Sequence, residues 1–222
     1  RASHTGVGRA RGRHIMSAKS LYVPIVSCPL NCHGIVRDAH TNIPRGFFTR
    51  AKEGGPIRLL VVALNPGQPW GEQLNAYAEL TDMQKVQRQL QLVDDAMHGP
   101  QRRTFHVRLI LWLSKVLNVP EPEVFDHTIY SNIVKCTTPG NETPNRSMAL
   151  TCANRHLVRE IAFWKPEVTV GLGVPACRYL SDIGVAHESL PHPSNRESRE
   201  YNAAAVERLR VKLNVTLREI KH

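Results

Sequence analysis

The stretch Arg58–Leu64, RLLVVAL, is a short, continuous apolar run that stops at Asn65-Pro66-Gly67. A run of this length without polar alternation reads as a strand buried on both faces, the kind found inside parallel sheets. Thr128–Val134 (TIYSNIV), Glu167–Leu172 (EVTVGL) and the shorter Glu188–Leu190 repeat the signal further along. Between them lie segments with helical spacing. Residues 73–98 place Leu74, Tyr77, Leu80, Val86, Leu90, Val93 and Met97 at helical intervals, and residues 104–118 form a second apolar helix. A helix from Ser147 to Trp164 is ended by Pro166, Gly173–Asp182 makes a short helix, and Glu197–Ile220 a terminal one. Strand and helix in alternation predict an α/β fold, a three-layer α/β/α sandwich in which helices cover both faces of a parallel sheet. Residues 17–222 then form a single domain. Residues 17–56, punctuated by Pro24, Pro29, Gly34, Pro44, Gly46, Gly54, Gly55 and Pro56, read as irregular.

Composition bounds the function. Of the 222 residues 41% are hydrophobic, enough for a buried core and too many for wholesale disorder. No run of roughly 18 apolar residues is present, so no membrane-spanning helix is expected. No charged-then-apolar leader opens the sequence, so the expected location is cytoplasmic, or nucleoid-associated in a bacterium, and the expected state a monomer. Lys and Arg (29) exceed Asp and Glu (19), a net charge of +10. The surplus is uneven: residues 1–58 carry ten basic and two acidic side chains, or +8. A positive front end suits a polyanion such as nucleic acid, or a membrane surface; a solvated face is the plainer alternative. Residues 1–16, rich in Arg and nearly free of apolar side chains, read as a disordered basic arm, either native or left by an expression vector ahead of Met16.

Five cysteines are an odd number in a chain of intracellular character, which disfavours disulfides and opens metal or cluster ligation. Cys28 and Cys32 are close in sequence, and Cys136 and Cys152 lie 16 apart around a Pro/Gly loop and the next helix. Cys177 is isolated in an apolar helix and reads as core. Four cysteines could hold an iron–sulfur cluster or a zinc ion, and spacing alone does not separate these from incidental thiols.

Open parallel sheets bind ligands at the carboxyl ends of their strands. The first strand empties into Asn65-Pro66-Gly67-Gln68-Pro69-Trp70-Gly71. The second carries Asn132 inside an apolar run, with Lys135-Cys136 beyond it. The fourth empties into Pro191-His192-Pro193-Ser194-Asn195-Arg196. Each feature has an ordinary reading: a turn, a backbone-satisfied Asn, a loop histidine. Their conjunction at one rim points to a site. A buried Asn without a partner costs about 1–3 kcal/mol, so Asn132 implies one.

These residues resemble a known family. Ser131-Asn132-Ile133-Val134-Lys135-Cys136-Thr137-Thr138-Pro139-Gly140-Asn141-Glu142-Thr143-Pro144, followed by Cys152, resembles the iron–sulfur (family IV) uracil-DNA glycosylases and their T-N-V-V-K-C-R-P-P-G-N-R-x-P stretch. Val168–Gly173 with Ala176 resembles the strand and turn that follow there. Leu190-Pro191-His192-Pro193-Ser194 resembles the superfamily's H-P-S motif, and Ala63-Leu64-Asn65-Pro66-Gly67 its first motif. The similarity spans roughly residues 20–200. Two departures stand out. The first cysteine pair is C-x3-C rather than C-x2-C. Leu64 occupies the family's acidic position, while Asn65-Pro66 is similar to the single-strand-selective and mismatch-specific branches.

The resemblance implies a central four-stranded parallel sheet, removal of uracil from DNA, and a [4Fe–4S] cluster on Cys28, Cys32, Cys136 and Cys152. The partners it implies are uracil-containing DNA and the abasic product. Within that frame His192 is the expected donor to uracil O2 and Asn65 positions the attacking water. Asn132 reads the base edge, donating to O4 and accepting from N3–H. Tyr77, twelve residues past Asn65, is the expected stacking ring, with Trp70 as alternative. Gly67 and Gln68 bring backbone N–H groups to the base. Ser194, Asn195 and Arg196 meet the DNA backbone or fill the gap left by the flipped nucleotide, with Lys135, Arg146 and Arg199 as weaker phosphate contacts. The competing readings are a non-catalytic binder of abasic or damaged DNA on the same scaffold and a zinc-stabilised nucleic-acid module.

Overall fold

The computed structural model describes residues 17–69, 71–100, 102–194 and 199–220. In chain order its helices and strands are α1 (Ala18–Val26), β1 (Phe47–Phe48), β2 (Leu59–Ala63), α2 (Asp82–His98), α3 (Thr104–Leu117), β3 (Thr128–Asn132), α4 (Arg146–Cys152), α5 (Val158–Trp164), β4 (Val168–Leu172), α6 (Gly173–Asp182), β5 (Glu188–Leu190) and α7 (Arg199–Ile220). The element ends follow local chemistry. Thr81 and Gln84 form a reciprocal capping box before α2, and the Asn145 side chain accepts the Met148 N–H before α4. Asn118 and Lys165 take left-handed conformations to close α3 and α5, the latter just ahead of Pro166.

The sheet has the order β1-β3-β2-β4-β5. The four expected strands are parallel, with Ala63 beside Asn132, Leu59 beside Val168 and Leu172 beside Leu190. A fifth strand departs from the expected four: β1 runs antiparallel to β3, with Phe47 opposite Ser131. β1 and α1 both lie in the segment read as irregular. β1 is only two residues long, and Pro24 sits inside α1, so neither leaves a periodic trace. The expected helix over 73–98 begins only at Asp82, after a single 3-10 turn at Gly71–Gln73. The expected helix over 147–164 widens into a π turn at Ala153–Leu157, between α4 and α5.

Alternation within the strands feeds two cores. Leu60, Val62, Ile129 and Ile133 face α1 and the α4–α6 layer, together with Leu21, Ile25, Ala149, Leu157 and Leu180. Leu59, Val61, Ala63, Val168, Val170 and Leu172 face α3 and α7, together with Leu113, Leu117, Leu209 and Leu213. Every residue of β2 is at most 3% exposed, as a central strand covered on both faces requires. Full burial of each such aliphatic side chain contributes about 1.5–3 kcal/mol. From β2 the chain first moves to β3 on one side, then returns to β4 on the other. That reversal is a topological switch point, and it opens a crevice at the carboxyl ends of β2 and β4. Among the described residues no helix is long and apolar enough to cross a membrane.

Candidate active site

An open cleft of about 780 Å³ occupies that crevice. Its floor is the loop after β2 (Leu64 to Gln68), Asn132 at the end of β3, Leu172 and Gly173 at the β4–α6 junction, and His192 and Ser194 after β5. Arg45, Gly46 and Phe47 close one side; Arg103, Thr104, Phe105 and His106 at the start of α3 close another. The size falls in the range of small-molecule sites. Asn65, Gly67, Gln68, Asn132, His192 and Ser194 are therefore brought together from three distant segments. Trp70, Asn195 and Arg196 lie outside the described residues.

The loop after β2 is braced from behind by the Thr138–Glu142 turn. Asn65 Nδ2 donates to Thr138 Oγ1 at 2.9 Å, and Thr138 Oγ1 in turn donates to the Glu142 carbonyl at 2.6 Å. Gln68 donates its Nε2 to the Thr138 carbonyl (2.7 Å) and its backbone N–H to Asn141 Oδ1 (3.2 Å). With Nδ2 of Asn65 committed, Oδ1 is the acceptor that this cleft residue has left for a water.

Asn132 is 1% exposed; the Tyr130 side chain is its polar neighbour, but Nδ2 makes no well-formed hydrogen bond among the described residues. A buried amide donor in this state is unfavourable unless a ligand accepts from it. Gly46 packs directly against it: at φ +92° a Cβ there would lie 2.7 Å from Asn132 Oδ1. Gly46→Ala is therefore expected to turn the Asn132 amide and to strain the backbone. Thermal melting should show a modest loss of stability, and any ligand that depends on Asn132 should bind less well.

His192 is held as a neutral, oriented donor. Burial pushes its imidazole below the ordinary histidine range. Its Nδ1 accepts the Ser194 backbone N–H at 3.3 Å, which leaves the ring proton on Nε2. Phe105 packs on the ring at 5.3 Å between centroids. Gly173, at φ +76°, lets α6 approach so closely that a Cβ there would sit 3.2 Å from His192 Cβ.

Tyr77 does not take the expected place. It is 1% exposed, its ring lies outside the cleft lining, and its hydroxyl donates to Gln89 Oε1 at 2.5 Å. Gln89 does line the cleft, so Tyr77 orients a neighbour instead of offering a face. The rings on the cleft are Phe47, Phe105 and Tyr130, with the imidazoles of His106 and His192. Phe47 is fully buried and stacked on Tyr22 at 4.1 Å, whereas Phe105 and Tyr130 are half-buried, Phe105 against His106, Tyr130 and His192. Lys135 is also displaced from its expected role as a phosphate contact. It is fully buried and pairs with Glu160 at 2.7 Å, donates to Ser131 Oγ at 2.5 Å and reaches the Gly46 carbonyl at 3.4 Å. Arg146 is exposed and bonded to Asp182. Arg45, Gln89, Phe105 and His106 are cleft residues that the sequence reading missed. Arg45 was masked by its irregular segment, and the α3 pair by the helix's plain apolar periodicity.

Cys28, Cys32, Cys136 and Cys152 line a second, small apolar cavity beyond the end of β3, with Lys135 and with His156 from the π turn. All four are free thiols, and Cys177 sits apart against Gly171. Burial pushes Cys136 up to about 12, reinforced by Cys152 and opposed by Arg37; burial also raises Cys152 and Cys32. Cys32, Cys136 and Cys152, raised in this way, resist ionising unless a cation joins them, which is the chemistry of a ligand set. The Lys135 N–H donates to Cys152 Sγ at 3.3 Å. Among the described residues no three His, Cys, Asp or Glu side chains converge tightly enough for a single metal ion.

Compared with known proteins, the chain matches no protein-family model and has no significant match among curated sequences.

Proposed function

We propose that the chain is a monofunctional DNA glycosylase that hydrolyses the N-glycosidic bond of deoxyuridine in DNA and leaves an abasic site. The observation that carries this reading is the meeting of Asn65, Asn132 and His192 in one cleft at the sheet's carboxyl edge. The target nucleotide must leave the stack, at a cost of a few kcal/mol, to enter such a cleft. Asn132 supplies the edge-reading amide, its Nδ2, which has only Tyr130 as a polar neighbour, suited to a carbonyl oxygen of the base. His192 donates Nε2–H to the other carbonyl as negative charge gathers on the departing ring. Asn65 Oδ1 holds the water that adds to C1′. A sugar of oxocarbenium character needs little deprotonation of that water, so no carboxylate base is required. Phe105 replaces Tyr77 as the stacking ring, for about 1–3 kcal/mol. No amine nucleophile is invoked: Lys135 is committed to Glu160 and Ser131. Gly67, Ser194, Asn195 and Arg196 keep their proposed contacts with base and backbone, whereas the Gln68 backbone N–H is taken by Asn141 Oδ1.

The four thiols ring one small apolar cavity, a donor set of the kind that holds an iron–sulfur cluster or a zinc ion. We assign Cys28, Cys32, Cys136 and Cys152 to a [4Fe–4S] cluster, with zinc as the alternative. When bound, the group's contribution is to tie together the N-terminal segment, the end of β3 and the start of the π turn.

Single-turnover release of labelled uracil from single-stranded and paired oligonucleotides tests the reading. Free uracil and an intact abasic strand are the expected products. Tight binding of abasic DNA without release would assign the chain to the non-catalytic alternative. In the isolated protein, an absorbance band at about 400 nm is expected for iron–sulfur, and its absence with stoichiometric zinc would replace the cluster.

A further inference from the structure

Arg45 stands at the cleft wall beside Gly46 and is 4% exposed. Its backbone N–H donates to the Lys135 carbonyl at 2.6 Å, which fixes it next to the end of β3. The guanidinium donates from Nη2 to the Gly67 carbonyl at 2.7 Å and from Nη1 to the Thr41 carbonyl at 3.3 Å. A guanidinium has five N–H groups, so most of them are without a protein acceptor among the described residues. None of the ion pairs formed by the described residues includes Arg45. Asp38 is the carboxylate whose field reaches it, and the Asp38 oxygens already accept from the His40, Thr41 and Asn42 N–H groups and from Asn42 Nδ2. Tyr77 and Cys136 are the other acidic groups nearby. A cation so thoroughly removed from water is unfavourable without a counter-charge, and the open side of this one is the cleft.

We propose that Arg45 is a catalytic residue that faces the leaving base and stabilises the negative charge developing on its ring. The inference rests on the glycosylase reading. In the step, the N1–C1′ bond breaks and both its electrons go to uracil N1. The water oxygen bonds to C1′, and the proton it sheds ends on the released uracil. Charge therefore appears transiently on N1, O2 and O4, with the Arg45 guanidinium, the Asn132 amide and the His192 Nε2–H placed around it. The positive field acts where charge forms and has no counterpart in the neutral ground state, so it favours the transition state selectively.

The test compares single-turnover release of uracil and of 5-fluorouracil, whose ring holds negative charge better and needs less help. In Arg45→Gln, uracil release is expected to fall about 100-fold and 5-fluorouracil release about tenfold. Arg45→Lys keeps the charge and can still reach the Gly67 carbonyl, so the wild-type ratio between the two bases should persist. It carries the test should Arg45→Gln fail to fold. Equal losses on both bases, or an Arg45→Lys ratio as altered as that of Arg45→Gln, would overturn the proposal and leave Arg45 as a loop brace. Loss of the thiol-site absorbance in Arg45→Gln would also overturn it, by assigning the charge to Cys136. A wild-type protein that releases neither base would remove the glycosylase reading itself.

Discussion

His192→Ala is expected to slow single-turnover uracil release by about 10²–10³-fold, or about 2.7–4 kcal/mol, with affinity for abasic DNA largely kept. The size follows from the donor's preparation. The Ser194 N–H on Nδ1 sets the tautomer, and burial keeps the ring neutral, so no reorganisation is needed when charge arrives. Because the folded-state value lies below the ordinary 6.5 or so, the imidazole is already neutral at pH 7 and stays so above it. The release rate should accordingly show no His192 step between about pH 7 and 9. Asn65→Ala should impair release as well, through loss of the water-holding Oδ1. Wild-type release rates in both variants would remove these residues from the mechanism.

Lys135→Met should be the most damaging substitution for stability. It leaves Glu160, fully buried and with Oε1 already unpartnered, without its cation. Removing one member of a buried pair costs about 3–5 kcal/mol, and for a chain of this size that lowers Tm by about 10 °C. The sign with pH can be worked out. Burial raises the Glu160 carboxyl above its ordinary value, opposed by Lys135 and Ser131. Without Lys135 it rises further, and the folded state binds a proton that the unfolded chain releases. The deficit should therefore grow as pH rises from about 5 to 8. The double variant Lys135→Met with Glu160→Leu should recover most of the loss. Melting curves at the two pH values decide, and an equal deficit at both would mean that Glu160 is not the orphaned group.

What the sequence made legible has a physical pattern. β2, β3 and β4 are visible because strands buried on both faces must be apolar throughout, and the sheet-end loops carry the polar residues that no packing argument explains. The cleft residues Asn65, Asn132 and His192 were found that way. Residues were missed or misplaced where burial depends on a partner distant in the chain. Lys135 looks like a surface cation until Glu160, a helix away, takes its charge. Tyr77 shares its spacing with a stacking ring, yet Gln89 on α2 draws its hydroxyl inward. Arg45 lies just ahead of β1, a strand of two residues too short for periodicity, and is fixed by its own N–H donated to the Lys135 carbonyl.

The pairing of β3 has a consequence of its own. Asn132 ends β3 and lies at the cleft; Cys136 follows four residues on, after Ile133 and Val134 have donated to the Ala63 and Leu64 carbonyls, and lies at the thiol cavity. Sliding β3 by a single residue would point Ser131 where the amide now stands, because side chains alternate across a strand, and would draw the segment that carries the thiol along with it. The alignment of Ala63 with Asn132 is thus a shared calibration mark, and a change that erodes one pocket through the backbone should detune the other.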